Sequence, residues 1–357
     1  MKKGIGVGIE DFKKIIEEDC YYFDKTNYIE ELLKDKTEIK LFTRPRRFGK
    51  TLNMTTLKYF FDVRNAEENR KLFKDLYIKK SEYFKEQGQY PTIFITLKDT
   101  KKNNWEECYS KIKIILRDLY EEHSYIKDKL SINEKEEYDK ILFKKDDAEY
   151  DNALLNLTKY LYNYYQKKVV LLIDEYDSPL ITANQFGYYK EAINFFRDFL
   201  SSALKTNSNL KMGVLTGIVQ VAKEGIFSGL NNVKTYNILG DKFEIFFGLS
   251  EEEVEEALKY FEMTYEIEEV KRWYDGYKFG NSEVYNPWSI VNYLSDRGLQ
   301  AYWVNTSDNA LIYDNLKNST VDVFKDLEAL FEGKAIKKEI SPFFTFEELS
   351  KFDGIWQ

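Results

Sequence analysis

The amino-acid sequence predicts an α/β fold, with a parallel, doubly wound sheet followed by a mainly helical domain. Three observations carry this prediction. Five apolar runs of strand length alternate with helical patterns up to Gly248. One run, Ile39 to Phe42, leads through Arg44-Pro45-Arg46-Arg47-Phe48 into Gly49-Lys50-Thr51 and a helical pattern from Leu52 to Phe61. Another, Val169 to Ile173, is β-branched and leucine throughout and ends on Asp174-Glu175, as expected of a strand buried on both faces.

In chain order, strand 39–42 feeds a tight loop and helix 50–61, and strand 92–97 feeds helix 105–122. Residues 132–151 are dense in charge and read as an exposed insertion between helices. Helix 151–166 feeds strand 169–173, helix 188–204 feeds strand 210–215, and a last strand is expected at 243–247. Beyond Gly248 the pattern turns helical, opening with Ser250 and Glu253 in the spacing of a capping box. Two domains follow from this, 1–248 and 249–357. No Pro/Gly/Ser linker divides the chain and no internal repeat is present.

Composition excludes several classes of function. The net charge of −8 gives no global positive field to gather nucleic acid. The single histidine, His123, argues against histidine-based triads and histidine-ligated metals. It lies in a charged helical stretch and is expected at the surface. Cys20 and Cys108 are far apart with no metal-type spacing, and read as reduced thiols of a cytoplasmic protein. No apolar run approaches the roughly 18 residues of a membrane span.

The chemistry lies in the two punctuated strands. Strand, tight loop and Gly49-Lys50-Thr51 opening a helix is the layout of a phosphate-binding loop, where free N–H groups and the helix dipole meet an anion. In that layout residues Arg46, Arg47, Phe48, Gly49, Lys50, Thr51 and Leu52 surround the phosphates. Lys50 reaches the β- and γ-phosphates, and the Thr51 hydroxyl ligates Mg²⁺. Asp174 fits as the second Mg²⁺ ligand and Glu175 as the base for the attacking water. The first glycine of the full loop pattern is replaced by Arg44. A P-loop NTPase of the additional-strand type is implied, in which strand 92–97 would insert between the loop strand and the Asp-Glu strand. Strand 210–215 then leads to Thr216, a polar side chain placed to sense the γ-phosphate.

The motifs as a set resemble bacterial and archaeal AAA-ATPase-like proteins that usually carry a C-terminal PD-(D/E)XK nuclease-like domain. The matching stretches begin with Gly8-Ile9-Glu10-Asp11-Phe12, Tyr22-Phe23-Asp24-Lys25-Thr26, Thr43 to Thr51, and Ile173 to Leu180. They continue with Leu215-Thr216-Gly217, Ile226 to Asn232, Trp273 to Tyr277, Tyr285 to Ile290, and Tyr302 to Ser307. The loop without its first glycine looks like the family's own form. Relatives often carry a polar or basic residue where Gln220 stands. The resemblance implies a nuclease-like domain beyond Gln357, so the chain reads as a piece of a longer protein. No Asp followed by Glu-x-Lys at the end of a strand, with its supporting fold, is visible within it, and no nuclease activity is carried over.

Several side chains keep more than one reading. The segment Tyr21 to Thr26 either covers an adenine or caps helix 27–34 through Asp24 or Thr26. Arg44, Arg46 and Arg47 either neutralise phosphate, meet a partner surface, act in trans in a homo-oligomer, or are loop charges that are solvated or pair with Asp177 and similar acids. The aromatics at 273–277 and 285–288 favour a satellite core over stacking on single-stranded nucleic acid. The leading functional expectation is an ATP-binding, Mg²⁺-dependent ATPase with no membrane association. It would gate an effector in nucleic-acid processing or defence, with nucleic acid met only through the further C-terminal domain. The alternative is a non-hydrolysing, nucleotide-dependent scaffold for protein or nucleic-acid partners. A P-loop kinase would need an arginine-bearing lid, and no signature of one is visible.

Overall fold

The computed structural model describes residues 2–219, 232–263, 267–304, 316 and 321–338. Five strands form one sheet: β1 (Ile39–Thr43), β2 (Thr92–Thr96), β3 (Val169–Asp174), β4 (Leu210–Gly217) and β5 (Val233–Tyr236). Their order is β2-β3-β4-β1-β5 and every pair is parallel. The register sets Thr43 beside Gly217 and Thr96 beside Asp174, which brings the C-terminal ends of four strands to one rim. Sheets of this kind bind ligands at that rim.

All six residues of β3 are buried. Its alternate side chains enter different cores. Leu171 and Ile173 pack with Ile112, Leu154 and Phe196, whereas Val170 and Leu172 pack with Met54, Leu57 and Phe60. The second face is covered by α1 (Phe12–Glu17), α2 (Asn27–Lys34), α3 (Lys50–Phe61) and α4 (Ala66–Leu72). The first is covered by α5 (Trp105–Glu122), α6 (Ile132–Leu142), α7 (Ala153–Tyr165), α8 (Ser178–Phe186) and α9 (Tyr189–Leu204). A sheet clad on both sides has no solvated face, which is why its strands lack polar alternation.

The structure corrects the sequence reading in four places. The strand between β1 and β3 is β4, not 92–97; β2 lies at the sheet edge. The additional-strand arrangement is present, but the inserted strand is the one that ends at Thr216-Gly217. Residues 243–247 are not a strand, because Glu244–Phe246 form a single 3₁₀ turn. Phe243, Phe246 and Phe247 all crowd the Tyr28 ring at 5.6–5.8 Å, so the run is an aromatic plug rather than a ladder. The fifth strand is instead the less apolar β5, which pairs with β1.

The charged 132–151 stretch contains a capped helix, α6, with Ser131 and Glu134 forming a capping box. Its Tyr138 and Ile141 are buried, so the segment is part of the core and not an insertion on it. His123 is 1% exposed and not at the surface. Its Nδ1 meets the Tyr125 hydroxyl at 3.2 Å, and burial pulls its pKa down to about 3.

After Gly248 come α10 (Glu251–Tyr260), α11 (Ile267–Tyr274), the antiparallel pair β6 (Tyr277–Phe279) and β7 (Ser282–Val284), and α12 (Pro287–Asp296). A further helix spans Val321–Phe331. The expected capping box of Ser250 and Glu253 is present. Tyr274 and Tyr285 sit in a third core with Leu249, Val254 and Tyr293, and that core takes in Ile5, Tyr21 and Phe23 from the N-terminus. Lys25 joins the same junction, donating to Glu253 at 2.5 Å and to the Ile245 carbonyl at 2.8 Å. Asp24 accepts from Thr26 N and Oγ1 and from Tyr77 N. Residues 21–26 therefore bind helices together, and Thr26 stands at the N-cap of α2 without a side-chain cap bond. Gln220, residues 226–231 and 305–307, and the terminal 352–357 lie outside the described residues.

Both cysteines are buried free thiols. Among the described residues no helix is long and apolar enough to cross a membrane.

Candidate functional site

The loop between β1 and α3 is shaped by two left-handed residues, Arg47 (φ 70) and Gly49 (φ 71). Turns of this sort aim successive backbone N–H groups into a concavity that suits an anion. Gly49 is the N-cap of α3, so Lys50, Thr51 and Leu52 contribute the first free N–H groups of a twelve-residue helix. Lys50 is 7% exposed and its Nζ spans the loop, donating to Arg44 O at 3.0 Å and Pro45 O at 2.8 Å. Burial lowers the Lys50 pKa, while Asp177, Glu175 and Asp174 oppose that shift.

Arg44 does none of the things expected of it. It is fully buried, and its guanidinium donates to the carbonyls of Thr43, Tyr236 and Phe243 at 2.9, 2.7 and 3.2 Å. It lies over the rings of Phe247 and Phe279. Its own N–H extends the β1–β4 ladder to Gly217 O at 3.1 Å, so this position has no need of a glycine. Burial brings its pKa down to about 10. Arg44 thus splices the end of β1 to β5 and to the aromatic plug.

The carboxylates stand at the adjoining rim. Thr51 Oγ1 donates to Asp174 Oδ2 at 2.8 Å, and Thr216 Oγ1 donates to Asp174 Oδ1 at 2.5 Å. Burial raises the Asp174 pKa, and these two hydroxyls work against the rise. Thr216 is itself fully buried behind Asp174 and accepts from the Glu175 N–H at 3.4 Å. Glu175 adopts φ 52, a conformation disfavoured for a residue with a side chain. Its Oε2 accepts from Ser178 Oγ at 2.8 Å and lies 3.7 Å from Lys101 Nζ.

Two residues that were not among the expected site residues, Tyr176 and Asp177, grip the exit of β4. Asp177 Oδ2 accepts from the N–H groups of Ile218 and Val219 at 2.7 and 2.8 Å. Tyr176 donates its hydroxyl to Val219 O at 2.8 Å and its N–H to Thr216 O at 3.0 Å. A Cβ on Gly217 would fall 2.7 Å from the Tyr176 ring and 2.9 Å from the Asp177 carboxyl, so only glycine fits this closure. Burial raises the Asp177 pKa to about 6. The signal was present in Asp174-Glu175-Tyr176-Asp177, but nothing local says that the second aspartate turns toward β4.

A cleft of about 320 Å³ opens over the loop. Of the expected site residues, Arg46, Arg47, Gly49, Lys50, Thr51, Leu52 and Glu175 line it. Asp174 and Thr216 are buried beneath it. The Phe48 side chain turns away and packs on Tyr277, Phe279 and Val284 of the β6–β7 pair, at 4.8 and 5.1 Å between the aromatic rings. The cleft also takes Gly6, Gly8, Ile9 and Glu10 from the N-terminus, Lys98 and Lys101 after β2, and Pro287, Trp288 and Val291 from α12. N-terminal cover therefore comes from residues 6–10, not from Tyr21 to Thr26. Arg47 stacks on Trp288 with its guanidinium 4.3 Å from the ring centre.

Comparison with known proteins gives one relative and a family. The chain is 25% identical over 322 residues to a protein of Azotobacter chroococcum mcd 1 described as an uncharacterized protein in the vnfD 5′ region. The match takes in 88% of this chain and 56% of that relative, so the chain spans about half the relative's length. No solved structure matches. The family model described as Predicted AAA-ATPase matches residues 6–227, from the first cleft residue past the end of β4, and the chain belongs to that family.

Proposed function

We propose that this chain binds and hydrolyses ATP with Mg²⁺, and that the segment from α10 to α12 is a lid through which the nucleotide state gates an effector in nucleic-acid processing or defence. The supporting observation is the 2.8 Å bond from Thr51 Oγ1 to Asp174 Oδ2. It joins the first turn of a helix that faces an anion-shaped loop to a buried carboxylate on a neighbouring strand. Family membership supports nucleotide binding in general.

The donor set fits Mg²⁺. The described residues contain no group of three or more His, Cys, Asp or Glu that could cage a metal. One carboxylate and one hydroxyl suit an ion that keeps several waters and takes the rest of its shell from phosphate oxygens. Thr51 and Asp174 would hold it. When bound, it supplies positive charge against the phosphate oxygens.

The chain's own groups divide the remaining work. The loop N–H groups and the α3 dipole bind the phosphates. Lys50 exchanges its two loop carbonyls for phosphate oxygens. Thr216 fixes the rotamer of Asp174, and through that contact a change at the γ-phosphate reaches β4. Glu175, at the cleft surface, takes the proton of the attacking water. Thermal shift of the parent and Lys50→Ala with ATP, GTP and ADP, each with Mg²⁺, tests the reading. A ligand at one hundred times its Kd stabilises by about 2.7 kcal/mol. The parent should show such a shift and Lys50→Ala should lose it; equal shifts in both would remove the phosphate-loop assignment.

A further inference from the structure

The cleft lining mixes two chemistries. It takes polar groups from Lys50, Thr51, Lys101 and Glu175, and apolar surface from Ile9, Pro287, Trp288 and Val291. A volume near 320 Å³ lies within the small-molecule range. The Trp288 ring stands one side chain away from the loop, because Arg47, two residues before Gly49, reaches it.

Trp288 is held in advance of any ligand. Asn286, the N-cap of α12, accepts from Trp288 N at 3.0 Å and Ser289 N at 3.3 Å. The indole N–H donates to Tyr302 O at 3.1 Å, which fixes the ring's rotation. Arg47 holds the ring from the loop side. A ring already fixed in place loses little freedom on stacking.

We propose that Trp288, with Ile9 and Val291, is the nucleobase wall of this cleft, so that one nucleotide is held by its phosphates on α3 and by its base on α12. The proposal rests on the reading that the loop binds a nucleoside triphosphate. The base is recognised by its π face, so the wall itself favours large flat bases and does not read their edges. Binding then ties α12 to the phosphate loop through the ligand as well as through Arg47.

The test compares ATP with inorganic tripolyphosphate, which has the phosphates and no base. Each is titrated calorimetrically with Mg²⁺ into the parent, Trp288→Ala, Trp288→Phe and Lys50→Ala. Trp288→Ala should weaken ATP by roughly 5- to 150-fold, the range of one lost base stack, and leave tripolyphosphate unchanged. Trp288→Phe should keep most of the ATP affinity, and Lys50→Ala should lose both ligands. Equal ATP affinity in the parent and Trp288→Ala would overturn the wall. So would an equal loss of both ligands in Trp288→Ala, or loss of ATP in Trp288→Phe. A parent that binds neither ligand would remove the nucleotide reading and this proposal with it.

Discussion

Thr216→Val deletes one hydroxyl at nearly constant volume, at a fully buried position. The hydroxyl donates to Asp174 Oδ1 at 2.5 Å, and Thr51 serves the other oxygen at 2.8 Å. A hydrogen bond to a charged group contributes about 1.5–3 kcal/mol and a neutral one about 0.5–1.5. At neutral pH the substitution should therefore lower unfolding stability by about 2 kcal/mol in the parent and by about 1 in an Asp174→Asn background. The difference, about 1 kcal/mol, is a coupling energy readable from a urea double-mutant cycle. The carboxyl's raised pKa adds a pH signature. A raised folded pKa means that the charged form is the disfavoured one. The penalty for losing a donor should then shrink as pH falls toward 3.8, the ordinary carboxylate value, and grow as pH rises through the folded pKa. Equal penalties in both backgrounds, with no pH dependence, would show that Thr216 packs beside Asp174 without supporting its charge.

Glu175→Gln should bind ATP as the parent does and slow hydrolysis by roughly 10²- to 10⁴-fold; turnover at the parent rate would exclude Glu175 as the base. His123→Phe should flatten acid destabilisation. The folded ring has its pKa depressed from 6.5 to about 3, so its stabilising effect is complete above 6.5 and is lost as pH falls toward 3. At one pH unit per about 1.36 kcal/mol, the parent should lose about 2.7 kcal/mol from this group by two units below 6.5. Urea curves with the same slope against pH in both proteins would contradict this. Hydrogen exchange of residues 250–304 should differ between ATP and ADP states, using Glu175→Gln to hold the former; identical protection would leave the lid uncoupled.

The parts of this protein that were legible in sequence are those with local causes. Buried strands such as 169–173 announce themselves by unbroken apolar runs, and α3 and α10 by a glycine and a Ser–Glu capping pair. The misread parts depend on distant partners. The run at 243–247 has the composition of a strand, yet Tyr28 and Phe42 draw its rings into a plug. Strand β5, with Lys234 and Thr235 exposed or half-buried, has too little apolar character to stand out. Strand order was misassigned because chain order does not dictate which strand lies between two others. Arg44 reads as a loop charge until three carbonyls are seen around it. Trp288 gave one local clue, since Asn286-Pro287 marks a helix start, but nothing near it points to a loop 240 positions earlier.

Phe48 has a consequence for anyone who would isolate the stretch that matches the family, residues 6–227. It is 1% exposed, and the core members that bury it, Phe279 and Val284, lie beyond Gly248. A protein ending at Gly248 would keep every residue of the family match and still present a bare phenylalanine in the middle of its β1–α3 loop, with Arg47 deprived of Trp288. Such a fragment should be sticky, and its loop should relax from the left-handed turns that give it shape. The smallest unit fit for expression, screening or crystallisation therefore runs at least through α12, well past the stretch by which the family is recognised.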